Sequence, residues 1–367
     1  MLVRYLDYSP DLAAPADVPP MAAVTGRTVA GPHLVMRPYA TLRADGEWVR
    51  VGRNAFFGER ATVHIADAML GAQIGDDVTV GRFGIVHACT VQDGVVVADG
   101  ATVMDGANVA PHALIAPGAL VSPRKQLAGG WVYEGNPATP TREISREALL
   151  QIATAIRSGR RVTLGTSDDL PPLDHAPFIA EGPYAGTLHR AHGAAPRVGR
   201  CFVAPTSVLV GDVELEDDAG VYFACTLAAG AAQIRIGERT NIQDNTLIVT
   251  DAKHGNTIIG RDVTVGHNVR MGAGTFADRA LIGMASRVEH GVTVEEDGCI
   301  AAGAFVEHGT VVKAGWIWAG RPARAFRELK DSEREWFAQG ADVYVGYGRA
   351  YRGVLASNPP SDAVKSI

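Results

Sequence analysis

Cysteine is scarce in this chain of 367 residues: Cys89, Cys201, Cys225 and Cys299 are the only four, widely spaced and without a C-x-x-C pair. That spacing excludes a disulfide framework and a thiolate metal site, and it points to a reducing cytoplasm. Aromatic residues are also few, at 7%. No apolar run reaches the roughly 18 residues of a membrane span, so none is expected. The N-terminal "MLVRYLDYSPDLAAPADVPP" has no apolar stretch behind a basic start and does not read as a signal peptide. Runs of Lys and Arg are lacking and the net charge is −6, which argues against nucleic acid as a partner.

What is present is a periodic, apolar, glycine-rich chain, 47% hydrophobic with 42 glycines. Val91, Val97, Val103, Val109, Ile115 and Val121 fall six apart, as do Ile282, Val288, Val294, Ile300, Val306 and Val312. A helix repeats at 3.6 and a simple strand at 2, so neither produces this beat. It is the hexapeptide signature of a parallel β-helix, one inward apolar residue per short strand and a corner between strands. A second period is 185 residues: Gly81 maps to Gly266, Trp131 to Trp316, Pro137 to Pro322 and Arg142 to Arg327 without a gap. The chain is an internal duplication. We expect a first β-helix with its helix over 1–162, a Pro/Gly/Ala-rich linker over 163–198, a second β-helix with its helix over 199–355, and a flexible tail over 356–367.

Each half resembles the γ-class carbonic anhydrase family, on a pattern of R-x-D, then N-x-Q-D-x-x-x-x-H, then G-H-x-x-x-x-H. The resemblance implies an all-β solenoid of two tandem left-handed parallel β-helices, each followed by a C-terminal α-helix. It also implies self-association into a homo-oligomer through β-helix faces. In the family, three histidines bind zinc or iron in the groove between two β-helices, two from one partner and one from the other. In the first half Arg43, Asp45, His64 and His87 match the pattern, while Arg82 replaces the middle histidine and "FFGE" replaces N-x-Q-D. The second half has the converse: Asn241, Gln243, Asp244 and His267 match, while Val249 and Gly272 replace the outer histidines.

Residues a multiple of six apart share a place on successive strands, so the family pattern divides into two half-sites on different faces. The first domain retains R-x-D with the first and last histidines; the second retains N-x-Q-D with the middle one. Random decay would scatter the survivors, so the expected site is composite: His64, His87 and His267 as ligands of Zn2+, or of Fe2+ or Co2+, where domain 1 meets domain 2. Three imidazoles leave a fourth position open for a reactive water, which the resemblance implies is used for reversible hydration of CO2 to bicarbonate. By the same resemblance Gln243 orients that water, Asn241 holds Gln243, Arg43 pairs with Asp244 across the contact, and Asp45 braces Arg43. Other readings are a catalytically silent scaffold of the same family, a hexapeptide acyltransferase, and a metal-dependent hydrolase.

Overall fold

A computed structural model describes residues 1–162 and 188–357. They form two compact units, one from each half of the duplication, and each is a parallel β-solenoid followed by one helix. Strands of two or three residues alternate with corners, and three strands make one coil. In the first unit one face stacks Phe56–Phe57, Thr79–Val80, Val96–Val97 and Leu114–Ile115. The second face stacks Thr62–His64, Ile85–His87, Thr102–Val103 and Leu120–Val121. The third stacks Ala72–Ile74, Thr90–Val91, Asn108–Val109 and Gln126–Leu127. The long strand Thr41–Val51 turns a corner, pairing with the second face at one end and the third at the other.

The six-residue beat is the core. Val80, Val97 and Ile115 stand in register and are buried, as are Val86, Val103 and Val121 on the next face. Burying each such side chain contributes about 1.5–3 kcal/mol, summed over a column with no polar break. The second unit repeats the plan, with Val265, Ile282 and Ile300 as one buried column. Each solenoid ends in an antiparallel hairpin, Trp131–Glu134 with Thr139–Glu143 and Trp316–Gly320 with Ala323–Glu328, which covers the last open parallel edge.

Helix α1 spans Arg146–Arg157, and its N-cap Ser145 accepts a hydrogen bond from the Ala148 amide. It lies on the first face of its unit, burying Leu149, Ala153 and Ile156. Arg157, in its last turn, donates to Thr79 Oγ1 at 2.8 Å and to the Asn54 carbonyl at 2.9 Å. Helix α2, Asp331–Ser357, lies on the corresponding face of the second unit. At the position of Arg157 the charge is reversed, Asp342 of the helix taking Arg239 of the solenoid, while further along the helix Arg349 takes Asp218 at 2.7 Å.

Of the segment expected as a linker, residues 163–187 lie outside the described residues. Leu188–His189 and Arg197–Val198, however, are strands pairing in parallel with Val208–Leu215. Two-residue strands flanked by Gly and Pro leave too short an apolar pattern to be read from sequence. The expected tail begins with Ala356 and Ser357 still in α2, and its remainder, 358–367, lies outside the described residues. No disulfide joins the four cysteines. Among the described residues no helix is long and apolar enough to cross a membrane.

The fold makes a direct stability prediction. Ile282→Ala opens a cavity in a fully buried column and should cost about 2–5 kcal/mol. Leu150→Ala, at a residue 67% exposed on α1, should stay within about 0.5 kcal/mol. Urea unfolding of the full chain followed by circular dichroism distinguishes them.

Candidate metal centre

In the first unit the parallel register sets His87 directly opposite His64 on the second face. Both are buried, at 8% and 2% exposure. His64 Nδ1 and His87 Nε2 are 3.2 Å apart, and the two rings are tilted by 55°. Each ring turns its other nitrogen to a carboxylate. His64 Nε2 lies 3.2 Å from Asp45 Oδ1, and His87 Nδ1 donates to Asp105 Oδ1. A carboxylate accepts only, so those nitrogens carry the protons. The facing nitrogens, His64 Nδ1 and His87 Nε2, therefore present lone pairs to one another.

Two lone pairs at that distance repel unless a proton or a metal ion lies between them. Ligand nitrogens 2.0–2.1 Å from a tetrahedral ion stand about 3.3 Å apart, which matches the observed spacing. A carboxylate on the far nitrogen of each imidazole is the arrangement that fixes a ligand's tautomer and ring plane. The residues present therefore fit a divalent ion such as Zn2+.

Behind the pair, Arg43 is fully buried and donates to Asp45. A buried guanidinium so placed keeps Asp45 ionised and oriented, since losing either partner would strand an uncompensated charge. Tyr5 lies in the same field: burial, then the charges of Asp45 and Asp67, push its hydroxyl well above the usual tyrosine range.

In the second unit the other expected residues gather at the corner between the first and second faces. Asp244 Oδ1 accepts from the Phe223 amide at 2.9 Å, and its Oδ2 lies 3.2 Å from His267 Nδ1. Asp244 and His267 are both fully buried. Gln243 Nε2 donates to Asn241 Oδ1 at 3.1 Å, and Asn241 Nδ2 donates to Thr264 Oγ1 at 2.9 Å. With its amino group so engaged, Gln243 has its Oε1 to offer as an acceptor.

The positions that depart from the pattern are put to other uses. Ala228 and Val249 stand in register as aliphatic neighbours on the second face of their unit. Arg82 takes Asp99 through Nε at 3.0 Å and Nη2 at 2.6 Å. His254 stacks on His290 with ring centroids 3.8 Å apart and takes Asp251 on Nδ1.

Sequence reasoning assigned no role to Asp105 or Tyr5. Asp105 had a usable signal: it follows His87 by 18 residues, one coil, so it must lie against it. Its corner is set by Ala88 and Gly106, both at positive φ, with the Gly106 amide donating to the Ala88 carbonyl at 2.8 Å. Tyr5 belongs to the N-terminal segment, outside the hexapeptide rhythm, and had none.

Comparison with known proteins follows the same lines. No family model matches the chain. It is 36% identical over 171 residues to "Gamma carbonic anhydrase 1, mitochondrial" of Arabidopsis thaliana, covering 45% of this chain and 62% of that protein. It thus spans less than two thirds of that relative's length. It is 35% identical over 163 residues to "Protein YrdA" of Escherichia coli, covering 42% of this chain and 89% of that one. A crystal structure of a hexapeptide transferase family protein from Anaplasma phagocytophilum is 34% identical. It covers 46% of this chain and 97% of that one, with a TM-score of 0.43.

The carboxylate on His87 yields a test. Asp105→Asn keeps the shape of the corner but weakens the grip on the His87 tautomer. It should lower divalent-metal affinity of the full chain roughly 10–100-fold, read by competition with a chromogenic chelator. Unchanged affinity would remove His87 from the ligand set.

Proposed function

Because the chain belongs to the γ-class carbonic anhydrase family, as a tandem pair of its left-handed β-helical domains, we propose that it is a metal-dependent carbonic anhydrase with one composite site per chain. The observation that carries this reading is the converging His64–His87 pair, each ring held by its own carboxylate. Two ligands do not complete a catalytic site of this kind, and His267 is the retained third.

On this reading His64 and His87 hold the ion from the first unit and His267 from the second, with Zn2+ the fitting choice and Fe2+ or Co2+ the alternatives. A divalent ion supplies, when bound, the Lewis acidity that brings the pKa of a coordinated water near ~7. Asp45 and Asp105 fix the two ligand rings of the first unit, and Asp244 steadies His267. Gln243 Oε1 accepts a hydrogen bond from the attacking water and so directs it at the carbon of CO2. Asn241 keeps the Gln243 amide from rotating, and Arg43 pairs with Asp244 where unlike faces meet. The reading requires contact between the first unit's second face and the second unit's first corner, within a chain or between chains of a homo-oligomer. Like-with-like pairing would assemble at most two histidines.

The test is metal content together with turnover. The purified full chain should hold about one Zn or Fe per chain, and His267→Ala should lose most of it. Gln243→Ala should keep the metal yet slow CO2 hydration roughly 10–100-fold in a stopped-flow indicator assay. A His267→Ala protein with full metal content would end the composite reading. A metal-free wild type would favour a silent scaffold instead.

A further inference from the structure

Between α2 and the first face of the second unit lies a cavity of about 180 Å3. Leu281, Leu329 and Phe337 give it an apolar side, and Arg279, Arg334 and Asp297 a charged one. Arg279 engages both oxygens of Asp297, through Nε at 2.9 Å and Nη2 at 3.0 Å, and contacts Glu296 as well. Among the described residues, Arg334 has one carboxylate approach, a 3.4 Å contact to the same Asp297. A guanidinium offers five donors in a rigid fork that fits a carboxylate two at a time. The fork of Arg334 is under-used at the cavity wall.

The first unit places a longer side chain at the position of the cavity-lining Asp342. There Arg157 crosses the groove, lying over the Phe56 ring at 5.7 Å and donating to Thr79 Oγ1. At the duplicated position the second unit has Asp342, which is too short to cross and turns to Arg239 instead. Two further exchanges build the charged wall: Arg334 stands where the first unit has the buried Leu149, and Arg279 where it has Gly94. The exchange thus replaces a crossing arginine by a shorter aspartate and places a cationic fork beside the opening. Three arginines and three aspartates line the cavity, so the lining side chains carry no net negative charge.

We propose that this cavity binds a small organic carboxylate, its charge on Arg334 and its apolar body against Leu281, Leu329 and Phe337. The volume is below the roughly 300 Å3 at which drug-sized pockets begin, so the ligand is of benzoate size. Thr264 also lines the cavity and accepts the hydrogen bond of Asn241, which holds Gln243. An occupant reaches the water-orienting residue through two hydrogen bonds. That consequence rests on the hydration reading; the binding itself does not.

The experiment titrates benzoate into the full chain, with benzamide as the neutral control. Calorimetry reads affinity, and nitrogen NMR follows the side-chain amides of Asn241 and Gln243. The expected result is saturable benzoate binding that moves both amides and exceeds benzamide binding. Arg334→Ala, at a partly exposed helical position that leaves the core intact, should weaken it at least roughly tenfold. Leu281→Trp, which fills the cavity, should abolish it, with circular dichroism checking the fold of both variants. Absence of saturable binding, equal affinity for benzamide, or an Arg334→Ala protein that binds as wild type would overturn the proposal. None of these readouts uses metal content or turnover, so their failure is distinct from failure of the hydration reading.

Discussion

Successive coils of each solenoid stack in parallel register, so every side chain is answered by the residue one coil on. His64 meets His87 for that reason, and His87 meets Asp105 for the same reason. The register is set by the inward columns of Val and Ile, because a slip of one residue would turn the whole apolar set outward. The His64–His87–Asp105 stack needs no long-range folding of loops. It needs only that the core columns stay aligned, so the core is also the device that positions the site.

Duplication relaxes that requirement on half the residues in each copy. A face that no longer needs a ligand can take an aliphatic pair, as Ala228 and Val249 do, or an ordinary ion pair, as Arg82 and Asp99 do. The retained sets differ in character. The first unit keeps charged residues, with Arg43 and Asp45 sealed behind the histidines. The second keeps a chain of neutral amides and a hydroxyl, from Gln243 through Asn241 to Thr264, beside the buried Asp244–His267 pair.

The solenoid was legible because its period is short and its core columns carry no exceptions; the tandem arrangement followed from one constant offset. The pairing of His64 with His87 was legible because motif spacing maps directly onto faces. What escaped were interactions between residues that carry no motif. Asp105 belongs to no motif, and its duplicate, His290, stacks on His254 instead. The strands at Leu188 and Arg197 are too short to impose a period. The cavity under α2 is lined by Asp342 where the first unit has Arg157, which reads as a plain surface exchange until both helices are seen docked.

The reversed charge in the helix docks carries one more consequence. Two similar solenoids in a single chain, each followed by a helix that must find the matching face, invite exchange of partners while the chain folds. Arg157 of α1 seeks carbonyl and hydroxyl oxygens, and Asp342 of α2 seeks a guanidinium. Set on the wrong solenoid, Asp342 would face the oxygens of Asn54 and Thr79, and Arg157 would face Arg239. At this one position each helix thus carries a charge that its sibling's face does not match.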